Sequence, residues 1–522
     1  MTKNKTNASS FRNAFFSYGL LLFLWIYPFF LPNRYFKMTI GKTFFFYGAT
    51  AVFALGCLIL QGKGKRKEIP SDDKNHTKLF GLLFLFVAIV SCAASNYRIE
   101  AFTGNTGRYM GLTTFLFIGC AFCFIARYGK ITKTVAMIFG ASMIFMNVVA
   151  LLQYRGFDPF GLYVGTKASV RVDFMSLVGN KDVYYSYLAL TVPFAMYMAY
   201  GAADLKEKIF WHAAELFGFA GAFACNSEGV FIALFPAFLV LFFMKGKDRD
   251  GLLCFLLSVM TFFGGALLTA LIKPDLSQFG IIETIVTREF LKPLPCLGAL
   301  LGTAAVFLIL MKVRLAPVFF KALRILVICL LAVAVAGAVG AFVYFTFIDK
   351  TTELGSLSEL LRFDCLYWGN KRAYVWSRLI RLFKDFPFYR MLIGSGEETV
   401  EILMRSAFGE EMTAKTGMVF DNAHNEFLQY LITMGIFGLL TYLLFVATAI
   451  HTGFKTDNRY RQAAALCCIC YLAQSAVNIS QAITTPLFFV FLALTQTVDV
   501  PGGVAAAGRE TAGQPLIQKE PE

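Results

Sequence analysis

The sequence predicts an all-α integral membrane protein, a polytopic bundle of about 12–14 transmembrane helices with one large extracytoplasmic loop. Hydrophobic residues make up 57% of the 522 residues and charged residues only 16%, and the mean hydropathy is +0.62. A soluble protein would carry roughly 25% charged residues. The apolar residues fall in long runs, such as 79–95 and 325–348. Only a lipid solvent makes so many apolar runs stable.

Hydrophobic runs follow one another along most of the chain, and about fourteen approach the length of a membrane span. Their approximate ends are 14–31, 44–61, 79–95, 111–126, 134–153, 183–202, 209–225, 230–244, 252–272, 294–311, 325–348, 430–450, 463–480 and 487–499. The first run has no small-residue cleavage signal, so we expect it to persist as an uncleaved span. The two runs that flank residues 226–229 fit either a helical hairpin or one broken helix.

These runs divide the chain into four parts. We expect an N-terminal transmembrane bundle of about 11 spans (1–348), a large extracytoplasmic loop (349–423), C-terminal transmembrane segments (424–500) and a disordered cytoplasmic tail (501–522). A loop this long without transmembrane character is usually functional. Within the loop, residues 371–386 have a helical pattern and residues 394–396 mark a turn.

The net charge of +15 is best explained by the orientation of the chain in a bilayer. Lys and Arg concentrate in cytoplasmic loops. With a cytoplasmic N-terminus, each inner loop carries at least two of them: 63–67, 127–133, 245–249, 312–324 and 455–461. An even number of spans returns the C-terminus to the same side. We therefore expect a multi-pass protein of the cytoplasmic (inner) membrane. Its expected partner is the lipid bilayer, and we expect no binding of nucleic acid.

The 12 cysteines predict neither a disulfide framework nor a metal site. Most lie in apolar runs, where Cys packs as a small apolar side chain. Cys467, Cys468 and Cys470 have no second Cys cluster or His at metal-site spacing. Cys365 lies clearly in a loop, and only Cys296 is placed to meet it.

His424 differs from the other three histidines, which lie in a cytoplasmic loop or near inner span ends. It opens the span after the large loop, within the polar segment 421–429. On a helix, Asn425 and Gln429 share a face. Such a patch is costly in a membrane segment unless it faces protein or a water-filled cavity. The alternative is an ordinary helix N-terminus, with Asp421 or Asn422 as the cap and His424 merely exposed.

A second group of polar residues lies in the large loop, from Lys371 to Lys384. Arg372 and Trp376 are four residues apart, so the guanidinium could stack on the indole. One interpretation is an anion-binding cradle of Arg side chains. The other is a basic interfacial helix that rests on lipid headgroups.

Two further polar islands interrupt the apolar runs. Residues 171–182 include Gly179 and Asn180, and residues 104–111 include Arg108. Taken alone, each island is typical of a turn between spans.

Together, these segments resemble the O-antigen ligase and polysaccharide polymerase superfamily. The main resemblance lies in residues 421–429 followed by 435–439, and in the upstream series Arg372, Trp376, Pro387 and 393–396. Two shorter segments also resemble the family: Arg171 with residues 178–180, and residues 107–111. Two positions depart from the family pattern. Glu228 stands where many members have Arg, and Lys181 stands where many have Pro, so the substrate is less defined than the fold.

The resemblance implies transfer of a glycan from a polyprenyl-diphosphate carrier to an acceptor hydroxyl outside the cytoplasmic membrane, without nucleotide sugar, metal or other cofactor. Under it, Arg372 and Arg171, with Arg108 third, are candidates for stabilising the diphosphate leaving group. His424 is the candidate base, or else orients the acceptor. Asn425 and Gln429 would bind sugar or phosphate oxygens, and Asn180 and Trp376 would also bind substrate. We further expect the large loop to act as a lid.

Two other functions stay open from the sequence. A transporter or flippase of an envelope precursor would suit the number of spans, but repeated interrupted helices are not evident. A non-catalytic partner in envelope assembly would not need His424. Within the enzyme class, the acceptor, a glycan or a lipid, decides between ligase and polymerase, and partnership with other envelope-biosynthesis proteins stays open.

Overall fold

A computed structural model describes residues 2–61, 76–104, 107–274, 284–363, 366 and 368–497. The described chain is almost wholly helical, which confirms the all-α class. The helices are α1 Thr2–Tyr18, α2 Tyr27–Phe29, α3 Met38–Leu60, α4 His76–Ala94, α5 Arg98–Thr103, α6 Leu112–Tyr128, α7 Lys133–Tyr154, α8 Ala168–Arg171, α9 Lys181–Tyr200, α10 Leu205–Ala224, α11 Gly229–Lys245, α12 Arg249–Ile272, α13 Ile285–Phe290, α14 Pro293–Lys312, α15 Pro317–Val343, α16 Ser358–Leu361, α17 Arg372–Lys384, α18 Phe388–Ile393, α19 Val400–Thr416, α20 Glu426–Phe454, α21 Arg459–Ser475 and α22 Thr485–Leu494. The strands are β1 Pro32–Tyr35, β2 Phe174–Met175 and β3 Gly179–Asn180, of which β2 and β3 pair antiparallel.

Each predicted hydrophobic run after the first corresponds mainly to one helix of the described chain. In the described part of the chain, seven helices are long and apolar enough to cross a membrane, namely α3, α4, α7, α12, α14, α15 with its continuation to Ile348, and α20. The helices α6, α11 and α22 are shorter but apolar. In α14 and α15 only Cys296 and Phe320 are buried by protein. Apolar helices with so little protein cover are stable in lipid and would be costly in water.

The first predicted span is not one continuous α-helix, contrary to the sequence prediction. Helix α1 ends at Tyr18, a π-helical turn covers Leu22–Ile26, and the chain is extended at Phe30. Pro28 lacks a backbone N–H and its ring crowds the preceding turn, so it bears on the π-helical turn and the short α2, but not on the end of α1 at Tyr18. The pair that flanks residues 226–229 consists of two separate helices, α10 and α11, which both pack against α9.

Helix α9 lies at the centre of the bundle and is buried on nearly every side. A polar ladder joins it to the end of α21. Asn478 Nδ2 donates to Ser186 Oγ at 2.8 Å and to the Asp182 carbonyl oxygen at 2.9 Å. Ser186 Oγ donates to Gln474 Oε1 at 3.1 Å. Such interhelical bonds hold polar side chains inside a membrane bundle and fix the start of α9 beside the 476–484 connection.

The large loop has a hydrophobic cluster of its own. Buried side chains of α17 and α19 meet there, among them Tyr374, Val375, Leu379, Met404 and Met412. The predicted helix at 371–386 is confirmed as α17, whereas α19 was not foreseen. The division of the chain into four parts stays a prediction, and its tail lies outside the described residues.

The loop docks on a kink in α20. Gly435 has φ +70° and ψ −169°, so the helix is interrupted there and the carbonyls of Ile432 and Thr433 lose helical partners. The loop supplies new ones, since Ser395 N donates to Ile432 O at 3.1 Å and Gly396 N donates to Thr433 O at 2.9 Å. A Cβ at Gly435 would overlap the Leu392 carbonyl group. The family-like glycines of both segments therefore serve this close backbone contact.

Two serines of α4 complete the junction. Ser91 Oγ donates to Thr433 O at 2.6 Å and accepts from Gly396 N at 3.1 Å. Ser95 Oγ donates to Ser395 O at 2.6 Å. The loop, α4 and α20 thus form one packed unit, in which polar backbone groups at the end of a membrane helix are satisfied.

Candidate functional site

A cavity of about 570 Å³ opens at the end of the bundle where the large loop docks. Five separate segments line it: 35–40, 107–109, 174–183, residue 424, and 479–483. Two of these segments overlap the polar islands 104–111 and 171–182, and residue 424 directly follows the large loop. The cavity brings together His424, Arg108 and Asn180, three of the residues that the sequence proposes for the site, and their roles stay predictions.

His424 lies in a tight turn just before α20. Its φ is +50°, which an L-residue adopts at a cost of roughly 1–3 kcal/mol unless its surroundings hold it there. The backbone N–H of His424 donates to Asn422 Oδ1 at 3.0 Å. The helix cap is Asn425, whose Oδ1 accepts from Leu428 N at 2.9 Å. The expectation that Asp421 or Asn422 caps this helix is wrong, because Asn422 bonds to the turn instead.

The peptide groups of Ala423 are held from two sides. Trp376 Nε1 donates to the Ala423 carbonyl oxygen at 2.9 Å. Gln429 Oε1 accepts from the Ala423 N–H at 3.1 Å. The two side chains thereby fix the backbone beside His424. The predicted stacking of Arg372 on Trp376 is not among the cation–π contacts of the described residues. Trp376 packs edge-on against Trp368 instead, with ring centroids 6.0 Å apart.

The electrostatic surroundings keep His424 neutral. Burial lowers its pKa from 6.5 to about 4, and the positive charges of Arg372 and Arg108 act in the same direction, against the opposing effect of Asp421. At neutral pH the imidazole therefore carries a free lone pair and can accept a proton.

Arg108 projects from a closed loop whose shape depends on glycine. A Cβ at Gly104 or at Gly111 would overlap the backbone of the other residue. The Arg108 carbonyl accepts from Ala482 N at 3.1 Å, and its Nη2 donates to Asp421 Oδ2 at 2.7 Å. Its Nε is buried without a partner in the described structure. Arg108 thus retains hydrogen-bonding capacity toward an anion in the cavity.

Arg372 begins α17 and interacts electrostatically with His424, although it does not line the cavity itself. Its Nη1 donates to the Gly369 carbonyl at 3.2 Å, and its Nε is buried without a partner among the described residues. Arg378, another basic residue of α17, instead forms an ion pair with Glu411 on α19. That contact and a bond from Lys415 lower the Glu411 pKa to about 2.

The segment that contains Gly179 and Asn180 borders the cavity from another side. Gly179 has φ +94°, and a Cβ there would overlap the Met38 methyl group. Asn180 caps α9, since its Oδ1 accepts from Asp182 N at 2.8 Å. Glycine is therefore required both by the backbone angle and by the close approach of α3.

Several cavity residues were not named as candidates from the sequence, and Lys37, Asp182 and Gln481 are among the polar ones. Asp182 interacts electrostatically with both Arg108 and Arg372. The available sequence signal for Lys37 was that it is a basic residue predicted to lie on the side opposite the basic inner loops, which departs from the positive-inside bias.

Arg171 is the predicted site residue that the fold leaves apart. It ends the short helix α8, is exposed, and is absent from the cavity lining. Its Nε donates to the Thr166 carbonyl at 3.2 Å. Among the described residues no group of three or more His, Cys, Asp or Glu side chains is arranged to hold a metal ion. The described cysteines are free, and Cys365 lies outside the described residues.

The fold and the cavity define a class, a multi-pass membrane protein with a polar cavity that contains basic side chains, next to a large loop between its helices. The family model described as O-Antigen ligase matches residues 294–443. This segment carries the loop, Arg372, Trp376 and His424, and the match confirms the resemblance to the O-antigen ligase-like superfamily. It supports glycosyl transfer of the ligase or polymerase kind, with a lipid-linked glycan as substrate. No curated protein and no solved structure matches the chain.

Proposed function

We propose that this protein transfers a glycan from a polyprenyl-diphosphate carrier to an acceptor hydroxyl on the outer face of the cytoplasmic membrane, as an O-antigen ligase-like or polysaccharide polymerase-like enzyme. The observation that carries the proposal is the neutral His424 beside Arg108 in one cavity, with the charge of Arg372 acting on His424 from the start of α17. Base and cations are what a displacement with a diphosphate leaving group requires.

In the reaction, the acceptor oxygen attacks the anomeric carbon of the donor sugar. The bond from that carbon to the diphosphate oxygen breaks, and the electron pair leaves with the diphosphate. Arg108, Arg372 and Lys37 stabilise the charge that develops on the leaving group. A single displacement of this kind inverts the configuration at the anomeric carbon.

His424 takes the proton of the acceptor hydroxyl. In the free protein, its low pKa makes it a weak base. Binding of a diphosphate offsets the positive charge of Arg108 and Arg372, so the pKa of His424 rises in the complex. The base therefore becomes stronger when the donor is in place. Asp182, at the same cavity, is the rival candidate for this role.

The remaining predicted residues receive different roles. Asn425 and Gln429 hold the turn before α20, as does Trp376, so we assign these three to positioning His424. Asn180 lines the cavity and binds donor or acceptor oxygens. Arg171 contributes only if the segment around α8 moves toward the cavity when substrate binds, and the large loop serves as the lid.

We further propose that both termini are cytoplasmic and that the cavity faces outward from the cell inner membrane. The basic inner loops and the grouping of the predicted outer loops at one end support this orientation.

The test uses the full chain in nanodiscs with polyprenyl-diphosphate-linked oligosaccharides from its host and their acceptor. We expect release of polyprenyl diphosphate and a shift in glycan size, both slowed about 10²–10³-fold in Arg372→Ala. Arg381→Ala is the matched control, because Arg381 is exposed on the same helix. A product ladder identifies a polymerase and a single product a ligase. Absence of release with the correct pool contradicts the proposal, and a flux assay then tests transport.

A further inference from the structure

A second recess lies at the opposite end of the bundle, between α4, α6, α20 and α22. Its volume is about 520 Å³, within the range of roughly 300–1,000 Å³ typical of ligand pockets. Helix α4 shows the separation from the first cavity: Ser95, near its end, contacts the docked loop, whereas Lys78, near its start, lines the recess. Likewise α6 starts beside the Arg108 loop and ends at the recess with Arg127.

Five phenylalanines contribute to the mostly apolar wall of the recess. Phe122 packs edge-on against Phe445 at 5.0 Å between ring centroids, and Phe445 stacks with Phe489 at 6.2 Å. Small residues make room in front of these rings. A Cβ at Gly81 would lie 3.0 Å from Phe445 Cε2. The opening is toward the lipid side, where Leu82 is 63% exposed.

Polar groups stand only at one end of this apolar recess, within the described structure. Lys78 and Arg127 are both exposed there. Gln496 also lines it, donates through Nε2 to Ala449 O at 3.3 Å, and leaves its Oε1 buried without a partner. Two cations beside an apolar slot at the end of membrane helices match an anionic headgroup and an acyl chain.

We propose that this recess binds an anionic glycerophospholipid from the leaflet opposite the glycosyl-transfer cavity. An acyl chain lies against Phe122 and Phe445, and the phosphate contacts Lys78 and Arg127. The buried Gln496 Oε1 favours a headgroup with a hydroxyl donor next to its phosphate. The inference is independent of the proposed function, because none of its residues lines the first cavity.

The test is native mass spectrometry of the delipidated full chain with phosphatidylglycerol or phosphatidylcholine of identical acyl chains. We expect the wild type to prefer phosphatidylglycerol by about thirtyfold, since each basic side chain near a bilayer contributes about a factor of five. The double variant Lys78→Ala with Arg127→Ala loses this preference. The matched control, Lys312→Ala with Arg314→Ala, removes two exposed cations at the same end but outside the recess and keeps the preference.

A second variant distinguishes lipid binding in the recess from attraction of lipid to the general surface charge. Cys123→Trp fills the slot without changing a charge, because Cys123 is exposed and lines it. We expect this variant to lose bound phosphatidylglycerol while its thermal unfolding temperature stays near that of the wild type. Equal binding of both lipids by the wild type overturns the proposal. Two other results also overturn the proposal: wild-type selectivity in the Lys78 and Arg127 double variant, and retained lipid in Cys123→Trp. These results would be expected if a partner helix occupied the recess.

Discussion

The indole nitrogen of Trp376 lies 2.9 Å from the carbonyl oxygen of Ala423, the residue immediately before His424. This bond joins the large loop to the turn that carries the candidate base. Gln429 holds the N–H of the same residue. Because His424 adopts a left-handed backbone angle, the turn depends on such outside support.

Replacing Trp376 by Phe keeps the ring but removes the donor, so the turn before α20 loosens. We expect the transfer rate kcat to fall about tenfold, as the loss of one buried hydrogen bond implies, with a smaller change in KM. Steady-state kinetics in nanodiscs checks this. Trp368→Phe is the matched control, since the Trp368 indole bonds to Leu360 O in the same loop. Equal kinetics in both variants would contradict a positioning role for Trp376.

The pH dependence of transfer follows from the low pKa of His424. Protonation removes the base, so activity falls as the pH drops through that pKa. For the free protein, kcat/KM should therefore fall to half near pH 4, well below the ordinary histidine range. The acid limb of kcat should lie higher, because the bound diphosphate raises the pKa.

Removing a cation should shift this profile. Arg372→Gln takes away one of the charges that lower the pKa of His424, so the acid limb of kcat/KM moves to higher pH. Arg381→Gln leaves it in place. A wild-type limb near pH 6.5, or one that does not respond to Arg372→Gln, would show that His424 does not titrate as described.

The Gly435 kink predicts a stability effect that propagates to the loop. Gly435→Ala places a Cβ against the Leu392 carbonyl at φ +70°, which costs roughly 1–3 kcal/mol for the backbone angle alone. We expect a lower unfolding temperature and faster proteolysis within residues 349–423. The control is Gly337→Ala, because a Cβ there meets nothing within 4 Å. Loop proteolysis at the same rate in both variants would contradict the docking role.

Arg108 should contribute to the transition state. Loss of one preorganised donor to a developing oxyanion costs about 10²–10³ in rate, so Arg108→Ala should lower kcat by this factor. Arg155→Ala, which removes an exposed basic residue predicted on the same side, serves as control. If the Arg108 variant turns over at the rate of the control, the diphosphate lies elsewhere.

Much of the fold follows from patterns that the sequence displays directly. Long apolar runs produce helices because only internally bonded backbone is stable in lipid. The break after Tyr18 was missed, since hydropathy does not register a local change in helix geometry. The docking of the loop was also missed, because the contact of Ser395 with Ile432 joins two segments through backbone atoms that carry no side-chain signal.

For the site, the residue types were predictable and their roles were only partly so. His424, Arg108 and Asn180 meet at one cavity, as their motifs indicated. Gln429, which the sequence proposes as a substrate-binding residue, accepts a bond from the Ala423 N–H, a contact that only the path of the backbone reveals. Asp182 escaped notice because one acidic residue at a span end is also an ordinary helix-start residue.

The most direct test of the account compares glycan transfer by His424→Ala and by His451→Ala, a histidine exposed near the other end of α20. Donor binding is measured separately, by titration of each variant with the polyprenyl-diphosphate-linked oligosaccharide. The account predicts that His424→Ala binds donor like the wild type but transfers it at least about 100-fold more slowly, while His451→Ala transfers normally. Transfer by His424→Ala at the wild-type rate would contradict the assignment of His424 as the base.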